Sequence, residues 1–294
     1  MSPRASAVAD LLRLPAVLTV PGDLLVGATW SAAGPSGRLA GLVAASSCLY
    51  LGGMALNDYA DREADKLHRP SRPIPEGRVS APFALGLAGG LSAAGLGMTA
   101  MAGGRRSLAL GAPLATMVWA YDLALKQTAL GPEAMAACRF LNVLMGVGDG
   151  QVAPALAPAA LVGLHTLGLS LVSRCEAQGA TPRLAAGALA GTMIVTVGAA
   201  MLMAAGRHPR GRGRPGPGSL AFLGAYAASL GRAELQAVRE PSPDRLQRLV
   251  GTGVVGLMLL EAALLSGAGG PYPALAVGAT WVLAKRLARR RPVT

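Results

Sequence analysis

The amino-acid sequence predicts an all-α protein, a polytopic transmembrane helix bundle of nine to ten spans. Of its 294 residues 52% are hydrophobic and only 14% are charged, whereas soluble domains carry about a quarter charged residues. The mean hydropathy is +0.44. Apolar runs of about 20 residues, the length that crosses a ~30 Å hydrocarbon core, follow one another along the chain. The whole of 1–294 reads as a single transmembrane domain.

Taken in order, the runs place spans near 10–32, 38–57, 82–103, 107–125, 133–149, 155–174, 184–205, 219–237, 248–267 and 272–288. The first shows no signal-peptide cleavage pattern and reads as a retained helix. The eighth is the weakest, because Arg232 and Glu234 fall in its last turns. Many spans are rich in Gly and Ala, which lets helices approach closely in lipid.

A net charge of +12 raises a nucleic-acid reading, which the apolar runs exclude. In a membrane protein, basic residues gather in cytoplasmic loops and meet anionic lipid headgroups or a substrate's phosphates. With ten spans, the even-numbered loops and the tail from Lys285 to Arg291 hold most of the Lys and Arg, so that side is expected to be cytoplasmic. The cluster Arg207 to Arg214, in a Pro/Gly-rich linker, runs against this assignment. Cys48, Cys138 and Cys175 have no CxxC spacing and sit in apolar surroundings; they read as small core residues.

The stretch Asn57 to Ser80, NDYADREADKLHRPSRPIPEGRVS, sets five acids and six Lys, Arg or His residues between two apolar runs. It reads as a charged loop that membrane packing does not require. If the preceding helix continues into it, Asp58, Asp61 and Asp65 share one face. Clustered carboxylates repel one another unless a cation lies among them. Mg²⁺ suits them, since it takes oxygen ligands and commonly binds one or two carboxylates plus substrate phosphates. Lys66, Arg69, Arg72 and Arg78 have the complementary use, holding phosphate oxygens. Pro70, Pro73 and Pro75 stiffen the return path. The same composition also fits a solvated, ion-paired loop.

NDxxDxxxD followed by RPIPxGxVS resembles the first aspartate-rich motif of the UbiA superfamily of intramembrane prenyltransferases, where it lies between the second and third helices. Tyr121 and Lys126 in WAYDLALK resemble that family's Tyr-Ser…Leu-Lys segment, with Asp122 where Ser is usual. Arg245 to Gly256 resembles the amphipathic lead-in to its ninth helix, and the tenth span is extra. The resemblance implies a lateral, lipid-open cavity with the diphosphate bound through Mg²⁺ at the cytoplasmic end. The implied chemistry is ionisation of a polyprenyl diphosphate donor and capture of the allylic cation by a small-molecule acceptor. On this reading Asn57, Asp58, Asp61, Asp65 and Glu176 are metal ligands. Lys66, Arg69, Arg72, Arg78, Tyr121, Arg139, Asn142 and Arg174 bind substrate. Asp58, Asp61, Lys126 and Asp23 serve the chemistry, in a multi-pass protein whose partners are membrane lipids and no nucleic acid.

Two departures matter. Where the family carries a second DxxxD motif, this chain reads Leu171 to Gly179, LVSRCEAQG, in which only Glu176 is acidic. That implies a reduced second metal site, with Arg174 meeting phosphate directly, or an eroded one. The SRxExxG form, with MALNDYADRE and MAACR, resembles the branch found in bacterial ebo gene clusters, which implies a polar, cyclitol-like acceptor. Ionisable groups inside spans default to functional candidates. Asp23 is a candidate base or anchor for that acceptor, while His165 and Glu261 read as buried, hydrogen-bonded packing residues. Arg139 lies about a turn and a half inside the mouth; Asp149 lies at the far end of its helix, away from the metals. Two other readings stay open: a terpene cyclase of the same fold, needing no acceptor, and a non-catalytic lipid-binding scaffold or transporter, for which no internal repeat speaks.

Overall fold

The computed structural model describes residues 3–31, 37–176, 179–206 and 215–288. The Arg207–Arg214 linker and the end of the basic tail lie outside the described residues. All regular structure among the described residues is helical: α1 (Pro3–Leu11), α2 (Val20–Trp30), α3 (Gly37–His68), α4 (Ala81–Ala120), α5 (Gly131–Met145), α6 (Ala153–Ser173), α7 (Pro182–Ala204), α8 (Pro217–Arg239), α9 (Pro243–Gly267) and α10 (Pro271–Ala288).

The helices follow the expected spans, with four instructive differences. The first run is broken. A 3₁₀ segment, Leu14–Thr19, separates α1 from α2, with prolines at 15 and 21 removing backbone donors and Arg13 in the left-handed region at φ 46°. The second difference is α3, which runs through the acidic motif to His68, so the first half of the expected charged loop is helix. Third, α4 contains both the third and fourth spans. Gly104, at φ 61° and ψ −157°, takes a conformation open essentially only to glycine, and the chain reverses there. A Cβ on Gly111 would fall 2.9 Å from Thr99, and Trp119 Nε1 donates to Ser92 Oγ at 3.0 Å; an unbroken helix would hold these pairs far apart. Fourth, α5 ends at Met145 rather than 149, followed by turns through Gly146, Gly148 and Gly150.

Among the described residues, six segments are long and apolar enough to cross a membrane, among them α3, the folded-back Ala81–Leu125, α6, α7 and α9. The axis of the bundle is α9, where every residue from Leu257 to Leu265 is buried. Close backbone approach seats α2 against α5. A Cβ on Gly27 would fall 1.9 Å from the Val143 carbonyl oxygen, and one on Gly146 would fall 2.2 Å from that of Leu24. Such glycine-mediated contact replaces a hydrophobic driving force that lipid does not supply. Trp30 Nε1 donates to the Leu264 carbonyl at 3.2 Å, tying α2 to the axis.

Candidate active site

A cavity of ≈ 340 Å³ opens between α3, α4, α5, α6 and α9. Asn57 and Ser46, both on α3, line opposite ends of it. Eleven residues separate them, or roughly 16 Å at helical rise. The cavity therefore has a charged mouth, an apolar middle at Leu49, Met54, Leu114 and Val118, and a second polar cluster at its floor.

The mouth is built on the last turns of α3. Spacings of three and four bring Asp58, Asp61 and Asp65 to one face. Asp58, 2% exposed, pairs through Oδ1 with Arg13 at 2.7 Å and Arg72 at 3.0 Å, while its Oδ2 is buried without a partner. Asp61 Oδ1 forms an ion pair with Lys126 Nζ at 2.7 Å. Asn57 Nδ2 donates to Asp122 Oδ1 at 2.9 Å, and its own Oδ1 accepts weakly from Arg13 at 3.4 Å. Lys126 and Tyr121 reach this region through a π-turn in which the Lys126 N–H donates to the Tyr121 carbonyl, five residues back, at 2.9 Å. Single π-turns inside helices frequently mark functional sites. Asp122 thus has a use in place of the usual Ser: it orients the Asn57 amide.

Among the described residues, no three Asp, Glu, His or Cys side chains converge as a ready-made metal cluster. The donor set at the mouth is one of separate oxygens: the free Asp58 Oδ2, Asp61 and the Asn57 carbonyl. This fits a hard divalent cation that takes one or two carboxylates and completes its shell with water or phosphate. Asp65 is buried beside them at 5% exposure. Glu176 sits in the turn after α6, half-buried, with burial pushing its carboxyl up and nearby Arg69 opposing that.

The structure divides the predicted phosphate-binding bases. Arg72 is at the mouth, and Arg69 is exposed within electrostatic reach of Asp65, Arg72 and Glu176. Lys66 instead pairs with Glu63 at 2.8 Å on the exposed side of α3. Arg78 ties the return loop to α1 through Asp10 at 2.9 Å and to Glu76 at 2.6 Å. Arg174 donates to the Thr128 carbonyl at 2.5 Å. Sequence reasoning missed Arg13. It lines the cavity, carries the left-handed backbone, and has a buried Nε with no partner. An isolated Arg near the start of the first apolar run, just before Pro15, was the available signal.

At the floor, Asp23 is fully buried. Its Oδ2 accepts from Arg139 Nη1 at 2.9 Å and from Asn142 Nδ2 at 2.8 Å. Arg139 also donates to the carbonyl and hydroxyl of Thr19 at 3.3 and 3.0 Å. Ser46 donates to Asn142 Oδ1 at 2.5 Å. His165 lines the cavity wall with both ring nitrogens occupied, Nδ1 by the Tyr226 hydroxyl at 2.9 Å and Nε2 by the Gly253 carbonyl at 3.2 Å, which is the packing role its sequence context implied. The three cysteines are free and half-buried, and Asp149 pairs with Arg38 away from the cavity.

The sequence model of the UbiA prenyltransferase family matches residues 17–250. The chain belongs to the UbiA prenyltransferase family. Solved UbiA homologues share the fold of this UbiA-family protein. One from Aeropyrum pernix superposes with a TM-score of 0.62 at 20% identity, covering 85% of this chain and 96% of that one. One from Archaeoglobus fulgidus, bound to GPP and Mg²⁺, gives 0.58 at 14% identity, covering 92% and 99%. A digeranylgeranylglyceryl phosphate synthase of Methanopyrus kandleri is 41% identical over 111 residues, 38% of this chain and 39% of that protein. The similarity to the curated relatives thus spans well under half of their length.

Proposed function

We propose that this UbiA-family protein is a Mg²⁺-dependent intramembrane prenyltransferase, formed by 1–294 as one transmembrane domain, that moves an isoprenoid chain from its diphosphate to a hydroxyl of a small polar acceptor. The observation that carries the reading is the convergence of Asn57, Asp58 and Asp61 with Lys126, Arg13 and Arg72 at the mouth of an apolar cavity. Acids with an unused buried oxygen, set among cations, are what a metal diphosphate needs. An apolar chamber behind them is what an isoprenoid chain needs. The GPP and Mg²⁺ bound by the Archaeoglobus fulgidus homologue support this assignment.

Asp58, Asp61 and Asn57 would hold the Mg²⁺, with Asp65 and Glu176 in supporting positions; bound there, the ion would stabilise charge on the leaving diphosphate. Arg13, Arg72 and Lys126 neutralise the same developing charge from preorganised positions. The Tyr121 ring and the apolar walls exclude water from the allylic cation. Lys126 is oriented by Asp61, so one ion pair sets both an acid and a cation. The acceptor's reacting hydroxyl belongs beside C1 near the mouth, with its other polar groups directed along the cavity toward Arg139 and Asn142, which Asp23 anchors. We read it as a polyhydroxyl compound of cyclitol type, from the SRxExxG form; the names of the curated relatives favour a glycerophosphate type. The Lys/Arg-rich loops support a mouth at the cytoplasmic face.

The test is Mg²⁺-dependent pyrophosphate release from geranyl, farnesyl and geranylgeranyl diphosphates by protein in lipid, with and without cell extract. Release that requires extract supports transfer, and the prenylated product identifies the acceptor. Release without extract means cyclisation or hydrolysis. No release under any condition overturns the enzymatic reading.

A further inference from the structure

We propose that Glu261 is a positioning residue of the cavity floor: it shares one proton with Asp23 and thereby fixes the Asp23 carboxylate toward Arg139 and Asn142. This rests on the acceptor reading above for its kinetic consequence, whereas the shared proton rests on the seating, burial and missing donors of the two carboxyl groups. Glu261 lies on the central helix α9 and Asp23 on α2, both at 0% exposure. Glu261 is seated on a glycine, since a Cβ on Gly22 would fall 1.9 Å from its Oε2. Asp23 follows Gly22 on α2, so its carboxyl lies beside that of Glu261. Yet Asp23 Oδ1 and both Glu261 oxygens are buried without a donor, while Asp23 Oδ2 already holds two.

Three donorless oxygens in the middle of a membrane bundle are not tolerable, because a buried polar group without a hydrogen bond is costly and an isolated buried carboxylate far more so. Arg139 donates to Thr19 and Asp23 and directs no N–H to Glu261. One proton between the two carboxyl groups engages two of the three oxygens and leaves the third as the carbonyl of a neutral acid. It lets Glu261 act as a donor to Asp23 Oδ1 and leaves a single negative charge against the single charge of Arg139. The consequence is orientational. With Oδ1 held by Glu261, Asp23 can turn only Oδ2 to the floor, and the Arg139 and Asn142 side chains that line the cavity are held in one pose.

The experiment compares wild type with Glu261→Gln, Glu261→Met and Gly22→Ala. None of these residues lines the cavity or touches the mouth. Gln keeps a donor toward Asp23 Oδ1 without the acidic proton, Met keeps volume without a donor, and the Ala methyl displaces the Glu261 carboxyl from the opposite helix. Infrared spectra of the protein in lipid should show a carboxylic-acid carbonyl band that shifts in D₂O and is lost in Glu261→Gln. With geranylgeranyl diphosphate as donor and cell extract as acceptor source, Glu261→Met and Gly22→Ala should need about tenfold more extract for half-maximal product. Their half-saturating donor concentration should not move, and Glu261→Gln should stay within about twofold of wild type. The proposal is overturned if wild type lacks the acid band or Glu261→Gln retains it. It is equally overturned if Glu261→Gln is as impaired as Glu261→Met, or if folded Glu261→Met titrates like wild type. A wild-type protein with no turnover would sink the prenyltransferase reading instead, and the infrared band would still decide the proton.

Discussion

The two ends of the cavity are built on opposite plans. At the mouth, charges are partly exposed and cross-paired across four elements, and Asp58 Oδ2 and Arg13 Nε are left without hydrogen-bond partners. At the floor, one buried anion is held by Arg139 and Asn142, which are themselves held by Thr19 and Ser46. The mouth has capacity to accept a charged ligand, whereas the floor holds Arg139 and Asn142 in one pose before anything binds. The difference teaches that chemistry and rigidity reside at separate ends of one chamber, so substitutions at the two ends should fail in different ways.

The largest expected effect is on chemistry at the mouth. Asp61→Ala should lower diphosphate release by about a hundredfold or more, with the melting temperature in lipid little changed; a fully active mutant would remove Asp61 from the metal role. Next comes stability at the floor. Arg139→Met leaves Asp23 buried without its counter-ion and should destabilise by about 3–5 kcal/mol, read as a lower thermal midpoint; an unchanged midpoint would break the contrast between the two ends. Smaller again is His165→Phe, which strands the Tyr226 hydroxyl and Gly253 carbonyl and should cost about 1–3 kcal/mol while diphosphate release stays near wild type. The smallest is Arg78→Ala. Its partners Asp10 and Glu76 are partly exposed, so the loss should stay below about 1 kcal/mol. If the half-saturating donor concentration rises instead, the mouth extends to Arg78 and should be redrawn.

The same contrast explains what the sequence disclosed. Asn57 to Ser80 is conspicuous because five acids interrupt apolar runs, and the spacing of Asp58, Asp61 and Asp65 already implied a helical face. Its bases were less legible. Lys66 and Arg78 have the same chemistry as Arg72, and only the path of the chain decides that they pair with Glu63, Asp10 and Glu76. The floor was visible as single intramembrane residues, Asp23, Arg139 and Glu261, far apart in sequence. Nothing along the chain says that Gly22 makes room for Glu261, because that depends on the meeting of α2 and α9. Arg13 was hidden for a different reason: its place at the mouth depends on the break between α1 and α2, which an apolar count reads as one continuous run. The fold itself was nearly complete in hydropathy, since lipid demands a stretch of fixed length for each crossing.

The reversal at Gly104 makes the reading frame of the second arm of α4 unusually unforgiving. Thr99 lies against Gly111 and Ser92 against Trp119, so there is almost no slack between the arms. Adding one residue after Gly104 would turn everything beyond it by about 100°. Tyr121, Asp122 and Lys126 would then face away from α3, and Asn57 and Asp61 would lose their partners at the other side of the bilayer. In most proteins a surface turn is where lengthening is absorbed; here it is where a one-residue change would be transmitted the full depth of the membrane.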